Sequence, residues 1–247
     1  MTIYINPFED IEEVDIEKYS KENPLFYYEL PRGIFKKEGN IIQNLLNFDM
    51  EHWENLLNNR LHSITNNFAY AMFYYEKGIP DKEWYISPGF KGQSVQFFPH
   101  FKEEHYSNQY NFSYFVDTFF LKSFTVFETI CHLLFKLFNI EVNKDDWKDQ
   151  ISFHNAVFKL KKINFKLHKD LLKIKKSSEF TKGIKMRNDI AHNHPPYRVS
   201  SGVTIGENTY TFGVGEYTTS EEIKKVMIGL LNSIKETFEI LSTHFTK

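Results

Sequence analysis

The apolar positions of this chain recur mostly at three- and four-residue steps, the period of a helix face. From about Gly39 to Lys77 they include Leu45, Leu46, Trp53, Leu57, Leu61, Ile64, Phe68 and Met72. That predicts a long amphipathic helix, bent near Asp49 and stopped by Gly78-Ile79-Pro80-Asp81. Tyr110 to Asn139 is apolar around most of its circumference, as in a helix surrounded by others. Its polar stripe (Thr118, Lys122, Thr125, Thr129, His132, Lys136, with Glu128 at the edge) reads as a solvent side or the lining of a groove. After Asn143-Lys144-Asp145-Asp146 the pattern predicts a helix from about Trp147 through Leu160, extendable to Leu167. Another follows from about His168 to near Ala191, and Pro195-Pro196 stops it.

Elsewhere the period fails or changes. Residues 1–37, broken by Pro7, Pro24 and Pro31, predict an extended or partly helical arm. Trp84 to Phe98 reads as a loop or irregular hairpin. Val203-Thr204-Ile205, Gly206-Glu207-Asn208 and Thr209-Tyr210-Thr211-Phe212 read as a short β-hairpin within an insertion at about 197–217. Thr218-x-x-Glu221 and Thr219-x-x-Glu222 are both candidate capping boxes for a final helix carrying Ile223, Met227, Leu230, Ile234, Phe238, Leu241 and Phe245. The expectation is an all-α fold: a bundle of four to five long helices with a small β-hairpin insertion near the C-terminus. Its domains are an arm, 1–37, and a single helical domain, 38–247.

Composition narrows the classes. With 25 Phe and 14 Tyr in 247 residues there is ample material for a core. The longest apolar stretch, Phe119 to Ile140, is interrupted by Lys122, Glu128, His132 and Lys136, which argues against a membrane span. A lone cysteine, Cys131, and an N-terminus without an apolar signal fit a cytoplasmic protein with no membrane partner. The formal net charge of −2 gives no whole-chain argument for nucleic acid. Its distribution does: between Lys159 and Arg187 eleven basic residues face Asp170 and Glu179, a sum of +9, whereas residues 1–30 hold eight acids and two lysines, or −6. Such asymmetry suggests a basic face for an anionic partner, or an acidic arm folded over it, although a solvated lysine face has the same composition.

The basic run leads into Arg187-Asn188-Asp189-Ile190-Ala191-His192. Arginine holds a phosphate with a planar, permanently charged fork, and histidine exchanges protons near neutral pH. Five residues separate the two side chains by about 140° on a regular helix. They meet if the helix loosens before His192, if the long guanidinium arm wraps round, or if a twofold dimer brings both copies to one seam. An Arg/His pair at a helix C-terminus also suits plain capping of free carbonyls. His192-x-His194 has no second Cys/His cluster in sequence, so no metal and no cofactor are expected.

These residues resemble the R-x(4–6)-H signature of the HEPN superfamily, with the favoured polar residue, Asn188, directly after the arginine. The signature covers residues 187–192; the architecture resembles that family over about 40–245. The resemblance implies a helical bundle that dimerises and a metal-independent endoribonuclease whose His192 is general acid/base and whose Arg187 holds the scissile phosphate. Asn188 would orient the histidine. Lys185, Lys182, Lys176, Lys175 and Lys173 are the expected RNA-binding residues, and Glu128 and His194 possible supports. Some members of the superfamily are binding or assembly modules. A non-catalytic module for RNA, nucleotide or protein is therefore the alternative, and a toxin silenced by an antitoxin-like partner is a third. A histidine-dependent limb in the pH profile is expected of the enzyme.

Overall fold

The computed structural model describes residues 3–36, 39–143, 145–207 and 209–245. Asn208 of the expected turn and Lys144 of the expected polar break lie outside the described residues. The fold is mainly helical. In order, the helices are α1 (Ile16–Tyr19), α2 (Ile41–Glu76), α3 (Glu103–Leu137), α4 (Phe153–Ile163), α5 (Phe165–Lys176), α6 (Ser178–His192) and α7 (Ser220–Phe245). Two antiparallel hairpins interrupt them: β1 (Tyr85–Ile86) with β2 (Gln96–Phe97), and β3 (Val203–Ile205) with β4 (Tyr210–Phe212). The chain packs as two compact units whose boundaries fall between α1 and α2 and inside α2, α3, α6 and α7.

The first unit comprises Met1–Glu22, Asn66–Phe120 and Gly183–Ile228. Its core packs aromatic rings from α2 against those of α3: Tyr70 stacks on Phe115 at 4.9 Å, and Phe68 lies tilted 6.3 Å from Phe119. Burying each such ring stabilises the fold by roughly 2–3 kcal/mol. The N-terminal segment packs against the outside of this core. Phe8 donates its N–H to Asn111 Oδ1 (2.8 Å), and its ring meets Tyr114 edge-on at 4.9 Å. The acids of the segment that form ion pairs here do so with Lys77 (from Asp10) and Lys224 (from Glu22).

Asp81, buried just after α2, accepts from Ser220 N–H (2.7 Å), Ser220 Oγ (2.9 Å) and the Tyr217 hydroxyl (2.6 Å). A carboxylate at the first turn of α7 satisfies orphan donors and complements the helix dipole. Of the two candidate boxes, Thr219/Glu222 forms: Thr219 N–H donates to Glu222 Oε2 (3.1 Å), and Glu222 N–H donates back to Thr219 Oγ1 (3.3 Å).

The second unit comprises Asn23–Thr65, Leu121–Lys182 and Gly229–Lys247. Phe127, Phe153 and Phe180 meet at its centre, with ring centroids 5.0–5.6 Å apart. Here the polar stripe of α3 departs from expectation. Most of it faces α2 rather than solvent. Arg60 donates to the Thr125 carbonyl and to the fully buried Thr129 hydroxyl, and Lys122 Nζ donates to Ser63 Oγ (2.8 Å). His132 stacks on Trp53 at 4.4 Å, and Lys136 pairs with Asp49 at 2.6 Å. Polar partners on both helices make burial of this stripe affordable, which a one-helix reading cannot see.

Where the pattern predicts helices from about Trp147 through Leu160, extendable to Leu167, and from about His168 to near Ala191, there are three shorter ones. Trp147 precedes α4 and is exposed. Asn164 leaves helical geometry (φ −142°, ψ 90°) and its side chain accepts from Leu167 N–H, which starts α5. Ser177 (φ −64°, ψ 153°) ends α5, and its hydroxyl accepts from Phe180 N–H (3.2 Å) at the start of α6.

Candidate active site at the end of α6

Residues 183–192 of α6 lie in the first unit. Gly183 and Met186 turn inward, Arg187 is half-buried and His192 is exposed. The helix does not loosen before the histidine: it runs to His192, and Asn193 N–H still donates to the Asp189 carbonyl (3.1 Å). The arginine closes the angular gap by wrapping round. Its Nη1 lies 3.3 Å from His192 Nε2 and donates to Asn188 Oδ1 at 3.0 Å. Since a guanidinium can only donate, this contact needs an unprotonated Nε2, and the imidazole proton then sits on Nδ1. Arg187 Nε is buried and has no hydrogen-bond partner among the described residues.

Asn188 thus touches the arginine, its Oδ1 accepting from the guanidinium. His194 is exposed, with Nε2 3.2 Å from the Val199 carbonyl. Lys185 is exposed on α6 in the same unit. Lys182, Lys176, Lys175, Lys173 and Glu128 belong to the second unit. There Lys173, Lys176, Lys182 and Glu128 are exposed, and Lys175 Nζ is half-buried 2.7 Å from His154 Nδ1. Burial, then the charge of Lys176, pulls Lys175 below the usual lysine range. Among the described residues no group of three His, Cys, Asp or Glu could hold a metal ion. Burial in the second unit pushes the Cys131 thiol far up, so it is inert as a nucleophile.

Two site-supporting residues escape the sequence reading. Directly after Pro195-Pro196, the Tyr197 hydroxyl donates between both oxygens of Asp117 on α3, at 2.6 Å each. Burial pushes the Asp117 carboxyl above its ordinary range, against the Tyr197 hydrogen bond and the charge of Arg198. Burial, then Asp117, keeps the phenol protonated well beyond its usual range. This bond pins the chain five residues past His192. A signal existed: Asp117 is the only acid between Asn111 and Phe127.

The returning strand is pinned too. Thr218 N–H donates to the Pro196 carbonyl (2.7 Å) and Ser200 N–H to the Glu216 carbonyl (3.0 Å), so a narrow stem carries β3 and β4 away from the helix end. The pair thus stands on a helix terminus held by two tyrosine–aspartate bonds, Tyr197–Asp117 and Tyr217–Asp81. An exposed imidazole beside a guanidinium fork can exchange a proton next to a bound phosphate.

No curated protein and no solved structure matches the chain. Comparison with protein families matches residues 53–247, including α6 and both ends of the hairpin insertion, to HEPN_Cthe2314-like HEPN. The chain belongs to that family, and its domain is of the HEPN type.

Proposed function

We propose that this protein is a metal-independent endoribonuclease that cleaves RNA by transesterification at Arg187 and His192, acting as a homodimer. The observation that carries the reading is the 3.3 Å approach of Arg187 Nη1 to His192 Nε2 on an exposed helix end of a HEPN-type domain. In the resting site the guanidinium donates to the imidazole. An incoming phosphodiester offers it a better, charged acceptor, so the fork turns to the non-bridging oxygens. Nε2 is then free to take the proton of the 2′-hydroxyl as that oxygen attacks phosphorus. The P–O5′ bond breaks, the proton returns to the leaving 5′-oxygen, and a 2′,3′-cyclic phosphate remains. Arg187 stabilises the charge that accumulates on the equatorial oxygens.

The test is cleavage of RNA in EDTA by wild type, His192→Ala, Arg187→Ala and Arg187→Lys at matched folding. Losing the proton carrier should lower the rate by about 10²-fold or more. Losing the anion donor should cost a similar factor, and lysine, without the fork, should not restore it. DNA of the same sequence should stay intact. Absence of cleavage by a folded, dimeric wild type would overturn the nuclease reading in favour of a binding module.

A further inference from the structure

The α4–α5 pair carries more exposed chemistry than a solvated face requires. Residues 153–176 hold eight lysines and one acid, Asp170, giving +7. Asp170 is already engaged by Lys173 and His244. On α5, Leu167, Leu171 and Ile174 are buried, and the opposite face presents Lys166, Lys169, Lys173 and Lys176, all exposed. Steps of three, four and three residues place these positions at axial intervals of about 4.5, 6 and 4.5 Å, in one stripe about 80° wide. A bland lysine face would end there. This one also exposes Phe165 at 54%, with Lys169 Nζ 4.8 Å from its ring centroid, and Phe158 on α4 at 68%.

We infer that this face is a track for a single-stranded polynucleotide, Lys166, Lys169, Lys173 and Lys176 following the phosphates and Phe165 stacking an unpaired base. A lengthwise stripe of cations with a ring at one end matches a charged strand with π-faces. A bilayer would instead favour a central apolar patch collared by cations. A protein groove would favour apolar side chains along the row. Lysines are point charges without the fork that reads base edges, so the track is indifferent to sequence. It is also indifferent to the 2′-hydroxyl, which separates it from the reaction at Arg187 and His192. The inference goes beyond the nuclease reading and stands whether or not that site cuts.

The experiment measures affinity of the full chain for short labelled oligonucleotides across a salt series. Single-stranded DNA, which lacks the attacking hydroxyl, serves as an uncut probe beside RNA and duplex DNA. Replacing Lys166, Lys169, Lys173 and Lys176 with Gln should lower the slope of log K against log salt by about 3, four contacts at ~0.7 each. Phe165→Leu keeps the side chain apolar but cannot stack; it should weaken single strands about tenfold and leave the slope alone. Single-stranded DNA should bind as tightly as RNA, and duplex more weakly. Unchanged affinity in either variant, or duplex binding equal to single strands, overturns the track. So does flotation with phosphatidylglycerol vesicles that the lysine variant loses while oligonucleotide binding persists. If these shifts hold while wild type cuts no RNA, the nuclease reading fails and the track remains. If Arg187 and His192 variants abolish cleavage while these shifts are absent, the reverse is true.

Discussion

At the scale of single residues, the Tyr197–Asp117 bond carries a sharp consequence. Tyr197→Phe removes the donor and leaves a part-buried carboxylate short of its main partner, which costs about 1–3 kcal/mol. Because that hydrogen bond opposes the burial-driven rise, the Asp117 carboxyl should titrate still higher in the variant. Carboxyl titration followed by NMR would show it, and an unmoved titration would refute the assignment. His132 gives a second test. Burial, then Lys136 and Arg60, holds it below the ordinary histidine value, with Glu128 opposing. The unfolded chain therefore takes the proton first as pH falls. This contribution to stability is full above about 6.5 and is lost as pH drops through the folded value. His132→Phe keeps a ring on Trp53 and removes the titration. Denaturant midpoints between pH 7.5 and 5 should fall less in the variant, and parallel curves would sink the idea. Arg187, Asn188 and His192 could be read together as candidates because they fall within six consecutive positions. Asp117 left only the trace of a lone acid in an apolar run, and its pairing with Tyr197 could not be read, since it spans eighty positions and only packing brings them together.

At the scale of elements, hydrophobic period located the helices but not all their ends. Leu160 and Leu167 are seven apart, so the period reads straight through Asn164, and only the side-chain cap reveals the break. The second break did leave a trace: Ile174 to Phe180 is a step of six, out of helical register, with Ser177-Ser178 between. Replacing a capping side chain of this kind by Ala removes an acceptor for an orphan N–H and costs about 1 kcal/mol. Asn164→Ala and Ser177→Ala should each lower the unfolding free energy by that amount. A neutral result for both would mean that core packing alone sets these breaks. The β3–β4 stem rests on a glycine. Gly202 has φ +68°, and a Cβ there would lie 2.2 Å from the Gly213 carbonyl oxygen. Gly202→Ala should therefore open the stem, seen as lost hydrogen-exchange protection of the Gly213 amide, which donates to Gly202 at 2.8 Å. Retained protection would show that the strands tolerate the clash.

At the scale of the molecule, the acidic N-terminal segment reverses the weight that composition gave it. Its charge suggested an arm held by electrostatics, yet its ion pairs, Asp10 to Lys77 and Glu22 to Lys224, are partly exposed and so screened by solvent. Rings and amides hold the segment: Phe8 against Tyr114 and Phe115, Tyr19 against Phe73, and the Asn111 side chain, which bonds Phe8 N–H and the Asn6 carbonyl. The Tyr74 hydroxyl donates to the Glu9 carbonyl as well. The segment is thus packed onto the outside of the first unit's core. Removing it wholesale would conflate regulation with unfolding. The two readings separate by substitution. Neutralising Asp10, Glu12 and Glu13 to Asn and Gln should leave the denaturant midpoint nearly unchanged, as expected of surface charge. Phe8→Ala should cost about 2 kcal/mol, below the usual cost of a core phenylalanine because the ring is 37% exposed. If the neutral variant instead gained affinity for RNA at unchanged stability, the acids would act on the substrate and the arm would be a regulator. If only Phe8→Ala shifts stability, with RNA affinity falling in step with the folded fraction, the segment is a structural brace on the core.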